Sequence, residues 1–266
     1  MINVLRSINY GLRRDVGVIV SLVMMFFMPY TIMLFMCAAE GMPLSECTPS
    51  YYFAAQNMAA ALAISYVGLT IISCKAMGGD SKDKTINYEL LSGHNRLKIF
   101  AARTIAGVAW SVLPLMLFSF LSIGVIALIN GWGMETDPID VIIRIALCVF
   151  PLIRICALNM MFTSVFNSAG KGIAMGFGMD FVISICTTIS EEVFHKEIDY
   201  GFGFLNIIFL LTSQNSREVI IEGKPVNLFD TALTPEMYIK TIGFALVFTV
   251  AYLLIGYVVF KKKDRD

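Results

Sequence analysis

The stretch IAGVAWSVLPLMLFSFLSIGVIALIN, residues 105–130, runs 26 positions without a charged side chain. As an α-helix it rises about 1.5 Å per residue, roughly 39 Å in all, and outreaches the roughly 30 Å hydrocarbon core of a bilayer. Five further apolar runs of spanning length lie on either side of it, at 16–39, 53–74, 141–162, 172–190 and 239–260. The first is too long for a cleaved signal and leads straight into more apolar sequence. A seventh run, 201–212 (GFGFLNIIFLLT), covers only about 18 Å and cannot cross. We read it as a short helix in the outer leaflet, with Phe204 and Phe209 among its apolar residues. The expected fold is therefore an all-α integral membrane protein with six spans in one domain over 1–266.

Charge orients the spans. Fourteen of the twenty Lys and Arg fall in 1–15, 75–103, at Lys171 and in 261–266, whereas Glu40, Glu46, Glu135, Asp137, Glu191, Glu192, Glu197 and Asp199 fall in the other loops. Cytoplasmic loops carry the excess of Lys and Arg, which puts both termini inside. A seventh crossing by 201–212 would put Lys261-Lys262-Lys263 outside. Within 1–14, Leu5, Ile8 and Leu12 share one helical face, and Arg6, Arg13 and Arg14 are available to headgroups, the pattern of an interfacial helix.

Composition agrees. Hydrophobic residues make up 57% of the chain and charged residues 15%, with mean hydropathy +0.74 and zero formal net charge. That balance excludes a nucleic-acid binder, which needs a basic surface, and a disordered chain. The six Cys make no disulfide framework: five fall in apolar runs, and Cys47, in an outer loop, has no neighbour there.

The sequence lacks its own chemistry. Gly78-Gly79-Asp80-Ser81-Lys82 has neither the spacing of a phosphate-binding loop nor its charge. His94 and His195 fall on opposite sides of the membrane, so no His-based metal site or catalytic dyad forms within one chain. The acids around 191–199 match no calcium loop and read as a solvated rim. We expect no catalytic residue, no metal and no cofactor on this chain.

The loop 75–104 is the only sizeable cytoplasmic segment. Gly78-Gly79 ends the second span, Asp83 or Thr85 can cap a short helix over 86–91, and Asn95 can cap the helix that continues into the third span. Ile86, Leu90 and Leu91 give the short helix an apolar edge, and Lys84, Tyr88 and Glu89 a polar one. On composition alone it either caps the bundle or docks a cytoplasmic partner.

Together these features resemble the membrane subunit of type-2 ABC exporters along the whole chain. The matching elements are the interfacial helix with Arg13-Arg14, six spans with both ends inside, and the loop Thr85-Ile86-Asn87-Tyr88-Glu89-Leu90-Leu91-Ser92-Gly93-His94-Asn95-Arg96. The long outer segment with its short apolar helix and the basic C-terminus match as well. The resemblance implies that Asp83, Thr85, Asn87, Tyr88, Glu89, Leu90, Leu91, Gly93 and His94 form a coupling helix. It implies a separate ATP-binding subunit holding ATP and Mg, a second permease copy or paralogue, and a translocation path through the bacterial cytoplasmic membrane. Size and character are most similar to the small permeases of antimicrobial-peptide export and immunity. Exporters of ions, drugs or lipid-linked glycans share the plan. A secondary transporter would show inverted repeats and an intramembrane enzyme a cluster of ionisable groups, and neither is evident.

One reading comes from the residues alone. Arg154 and Asp180 lie inside the fourth and fifth spans, each thirteen residues from the intervening turn near Asn167, hence at similar depth. Isolated charges there are costly, so an intramembrane ion pair is expected. Arg144, nearer the outer end, is expected to snorkel to the headgroups.

Overall fold

The computed structural model describes residues 2–41, 43–54, 57–78, 95–194, 205–212, 215–221, 224–230 and 232–262. Helix α1 (Ile2–Arg14) buries Val4, Ile8 and Leu12, one residue per turn along a single face, with Leu5 half-buried beside them. Asp15 ends α1 and caps α2 (Val16–Glu40), its carboxylate accepting the Val18 N–H at 3.1 Å. Gly41, in the left-handed region at φ 65°, closes α2. A 3-10 turn (Leu44–Glu46) and the short α3 (Pro49–Ala54) follow, before α4 (Asn57–Gly78).

Asn95 caps α5 (Arg96–Asn130) by accepting the Leu97 N–H at 3.2 Å, as its sequence position predicts. This helix has 35 residues, about 52 Å, so its first turns project beyond the hydrocarbon. The fourth span is two helices, α6 (Pro138–Leu147) and α7 (Val149–Phe166), broken at Cys148. Pro151 lacks the N–H that would continue the ladder across that break. Asn167, at φ 52°, makes the tight turn into α8 (Ala169–Phe194). Then come α9 (Leu205–Leu211), β1 (Asn215–Ile221), β2 (Lys224–Asp230) and α10 (Pro235–Lys262).

Six helical segments are long and apolar enough to cross, in the order expected, and the spanning body is all-helical. The addition is the β1–β2 hairpin, paired antiparallel from Asn215↔Asp230 to Ile221↔Lys224, in the segment between α9 and α10.

Burial ranks the spans. Two-thirds (67%) of the apolar window is buried in α4 and in α6–α7, against 22% in α2, 18% in α8 and 11% in α10. Helices α4 and α7 are therefore the inner pair. Helix α2 packs on α4, α8 on α7 and α4, and α10 on α7. Outward faces such as Val20, Val23 and Phe27 on α2, Leu113 and Leu117 on α5, and Val247, Val250 and Leu254 on α10 are exposed apolar side chains suited to lipid.

Membrane helices cannot rely on water to drive them together and use close packing of small residues instead. Gly172 lies against Thr163, and Gly176 one turn later lies against the Asn159 amide; a Cβ at either would overlap those side chains. The same register continues to Asp180, so one face of α8 carries Gly172, Gly176 and Asp180 toward α7.

Candidate functional site

The predicted coupling residues Asp83, Thr85, Asn87, Tyr88, Glu89, Leu90, Leu91, Gly93 and His94 lie outside the described residues. The two roots of that loop are described, and both are anchored. At the first root, Lys75 Nζ donates to both Asp15 carboxylate oxygens, at 2.5 and 2.6 Å. Burial alone would push the Asp15 carboxyl up, but Lys75 and the Val18 and Gly17 amides outweigh it and hold it below the usual carboxylate range. Arg103 on α5, 3% exposed, donates to the carbonyls of Ala76 and Met77 at 3.2 and 3.3 Å. These belong to the last turn of α4, where carbonyls have no intrahelical partner and a cation is favoured. At the second root, Arg96 donates to the Lys261 carbonyl at 2.7 Å, at the end of α10. Helix α1 joins the same end: Trp110 Nε1 donates to Asn9 Oδ1 at 2.8 Å, and the Arg13 guanidinium stands 6.0 Å from the Trp110 ring centre. Both terminal helices thus meet one end of the bundle.

Within the membrane, Arg154 and Asp180 are buried, at 3% and 6% exposure. Thr163 faces Gly172 and Asn159 faces Gly176, so the same spacing carried one further turn puts Asp180 at the level of Ile155, one residue from Arg154 in height. The Tyr252 hydroxyl, on α10, lies within electrostatic reach of both charges. A polar seam continues toward the end that bears the termini: Asn159 Nδ2 donates to Thr70 Oγ1 at 3.2 Å, and Thr163 Oγ1 donates to the Asn159 carbonyl at 2.8 Å.

The opposite end is knitted by polar contacts. Asn130 Nδ2 donates to the Leu44 and Cys47 carbonyls, both at 2.7 Å. The Thr136 N–H donates to Ser50 Oγ at 2.6 Å, and Trp132 Nε1 donates to the Thr136 carbonyl at 2.9 Å. Tyr51 donates its hydroxyl to Glu40, and burial together with that carboxylate pushes its phenol up to about 12. Two expectations are corrected here. Cys47 is not alone: it forms a disulfide with Cys37, because Gly41 and the 3-10 turn return the chain to the C-terminal end of α2. Arg144 does not snorkel. It is 1% exposed and donates to the carbonyls of Leu210 and Thr212, at 3.1 and 3.0 Å. The C-terminal carbonyls of α9 offer that guanidinium better partners than a path to the headgroups.

Helix α9 itself packs against α4 and α6, with Ile207, Leu210 and Leu211 fully buried. It covers the ends of α4 and α6 remote from the chain termini. Phe204 lies outside the described residues.

What this arrangement can do follows from what it contains. Among the described residues no three His, Cys, Asp or Glu side chains converge as a metal site. The polar groups fasten helix ends and tie α4 to α7 within the bundle. No curated protein matches the chain. A family described as ABC-2 family transporter protein matches residues 46–265, from the disulfide loop through five of the six spans to the basic C-terminus. A multi-pass bundle of six spans, matched to that family over more than four-fifths of its length, belongs to the ABC-2 family of transporter membrane proteins.

Proposed function

We propose that this chain is the permease half of an ATP-driven exporter in a bacterial cytoplasmic membrane. Two such subunits, identical or paralogous, work over two separate ATP-binding subunits, which hold ATP and Mg. The observation that carries this reading is the family match across 46–265. The clustering of both terminal helices and both roots of the basic loop at one end supports it, because that end is where an engine must dock. Lys and Arg concentrate there and a disulfide closes the other end, so the termini face the reducing cytoplasm.

In this reading the coupling helix comprises Asp83, Thr85, Asn87, Tyr88, Glu89, Leu90, Leu91, Gly93 and His94, and it transmits nucleotide-driven motion to α4 and α5. Arg154 and Asp180 form a charge pair at membrane depth on α7 and α8. The cargo is an amphipathic peptide of the antimicrobial kind; the support is the small size of the permease and its apolar, Met- and Phe-rich composition, which suits contact with varied apolar side chains.

The test is co-purification with an ABC ATP-binding subunit from the same cells, followed by ATP-dependent efflux from proteoliposomes. Amphipathic peptides, sodium and cationic drugs are compared as cargo. Glu89→Ala and Gly93→Pro are expected to leave insertion intact while lowering efflux and ATPase stimulation at least severalfold. Efflux without an ATPase overturns the exporter reading. Efflux of sodium or drugs but not peptides overturns the cargo.

A further inference from the structure

The last turn of α4, Lys75–Gly78, is gripped from three directions. From the α1–α2 elbow, Asp15 holds Lys75 by both carboxylate oxygens, at 2.5 and 2.6 Å. The approach is close enough that a Cβ on Gly17 would lie 2.9 Å from Lys75 Nζ. From α5, Arg103 holds the Ala76 and Met77 carbonyls. From the α7–α8 turn, Thr163 and Ala169 press on Gly78, where a Cβ would stand 3.0 Å from the Ala169 nitrogen and from Thr163 Cγ2. The 79–94 loop begins immediately after.

We propose that Lys75, with Asp15 and Arg103, is a positioning clamp that makes the end of α4 a rigid lever between the coupling loop and the elbow of α1 and α2. A helix end left to fray would absorb a push on the loop within its last turn, since terminal carbonyls lack partners. Here those carbonyls are held by Arg103, and the helix is tied by charge to the N-terminus of α2. A displacement of the loop therefore moves α2, α4 and α5 as one body. The Lys75–Asp15 pair is only partly shielded, with side chains 30% and 20% exposed, so its part in the bundle's stability is modest. Its distinctive contribution is directional, because it is the ion pair that joins the elbow to the loop's root.

The proposal rests on the exporter reading, and the experiment separates the two. The permease is reconstituted with its ATP-binding subunit in lipid nanodiscs, in a Cys186→Ser background. Met134→Cys, at an exposed outer-end position, is the reporter. Its labelling rate with a water-soluble maleimide is compared with and without Mg-ATP and vanadate. The wild-type background should show a nucleotide-dependent change in rate. Lys75→Met and Asp15→Asn should keep the ATPase bound and hydrolysing, yet reduce that change roughly fivefold or more, the lower bound of ordinary allosteric coupling. Asn at 15 retains a side-chain oxygen for the Val18 amide, so a failure to fold is not expected there. Lys75→Arg keeps the charge and should preserve the response. Should the wild-type background show no nucleotide response, the exporter reading fails and the clamp with it. Should wild type respond and Lys75→Met and Asp15→Asn respond equally, the clamp alone is refuted.

Discussion

Arg154 and Asp180 give the most demanding test of the membrane-depth chemistry. The α7–α8 register puts them within one residue of the same level, both nearly sealed from solvent. If they neutralise each other, removing one leaves a bare charge where insertion scales put the cost at about 2.5–3.5 kcal/mol. Removing one member of a buried pair costs about 3–5 kcal/mol in soluble proteins. Arg154→Met and Asp180→Asn change the charge with little change in volume. The two should not be equal. A stranded aspartate can take up a proton and become neutral, whereas a stranded guanidinium cannot shed its charge. Asp180→Asn should therefore be the worse variant, by about 3 kcal/mol or more, which for a domain of this size is about 6–12 °C in thermal midpoint. Arg154→Met should cost less, and the double variant less than the sum, with about 1–3 kcal/mol of coupling. Thermal unfolding in detergent and membrane-inserted yield measure all four forms. A double variant that loses as much as both singles added together would show that the charges act independently, and the depth argument would be wrong.

Two further outcomes follow from the packing. Arg144→Met leaves the Leu210 and Thr212 carbonyls without that donor, two charge-assisted bonds of about 1.5–3 kcal/mol each, offset by release of a buried cation. Labelling of Leu211→Cys by an aqueous reagent should then rise about tenfold over the same reporter with Arg144 in place, and an unchanged rate would mean apolar packing alone holds α9. Gly176→Ala should cost about 1–3 kcal/mol because its Cβ meets the Asn159 amide, while Gly178→Ala, with open space around it, should be neutral. Equal thermal midpoints for these two variants would refute the close α7–α8 seam.

The spans were legible because length and hydropathy are local properties, and a bilayer reads them with little help from tertiary structure. Asn95 was legible for the same reason, since a cap needs only its own helix. The errors were non-local. Nothing within a few residues of Arg144 reveals that its partners come from Leu210 and Thr212, 66 and 68 positions later. A charge near a span's end reads as snorkelling until those carbonyls arrive. Cys37 was hidden by its place in an apolar run, although a left-handed Gly41 four residues on makes a return toward Cys47 geometrically reasonable. The hairpin has a local signal of its own: SREVII and KPVNLFD flank Glu222-Gly223, two residues ending in the glycine that tight hairpin turns favour. Gly172, Gly176 and Asp180 repeat every four residues, and that spacing alone could have assigned the α8 face.

The placement of the arginines explains why the ends of this bundle are firm while its middle depends on small residues. Arg96, Arg103 and Arg144 each donate to the terminal carbonyls of a helix remote in sequence: α10 across 165 positions, α4 across 26 and 27, α9 across 66 and 68. A helix end is the one part of a membrane helix whose backbone still needs partners, and water supplies them poorly near the hydrocarbon. A guanidinium, with five donors and a charge that suits the helix C-terminus, meets that need and joins two helices at once. Lysine has a smaller donor set with no planar fork, which makes the Arg-to-Lys exchange non-conservative at these sites. In the middle of the bundle the contacts are of another kind. There, the approach of α8 to α7 is set by Gly172 and Gly176, and the same register brings Asp180 level with Arg154. Fastened ends and a smooth, polar-lined seam are what a permease needs if its helices are to tilt as units without unravelling.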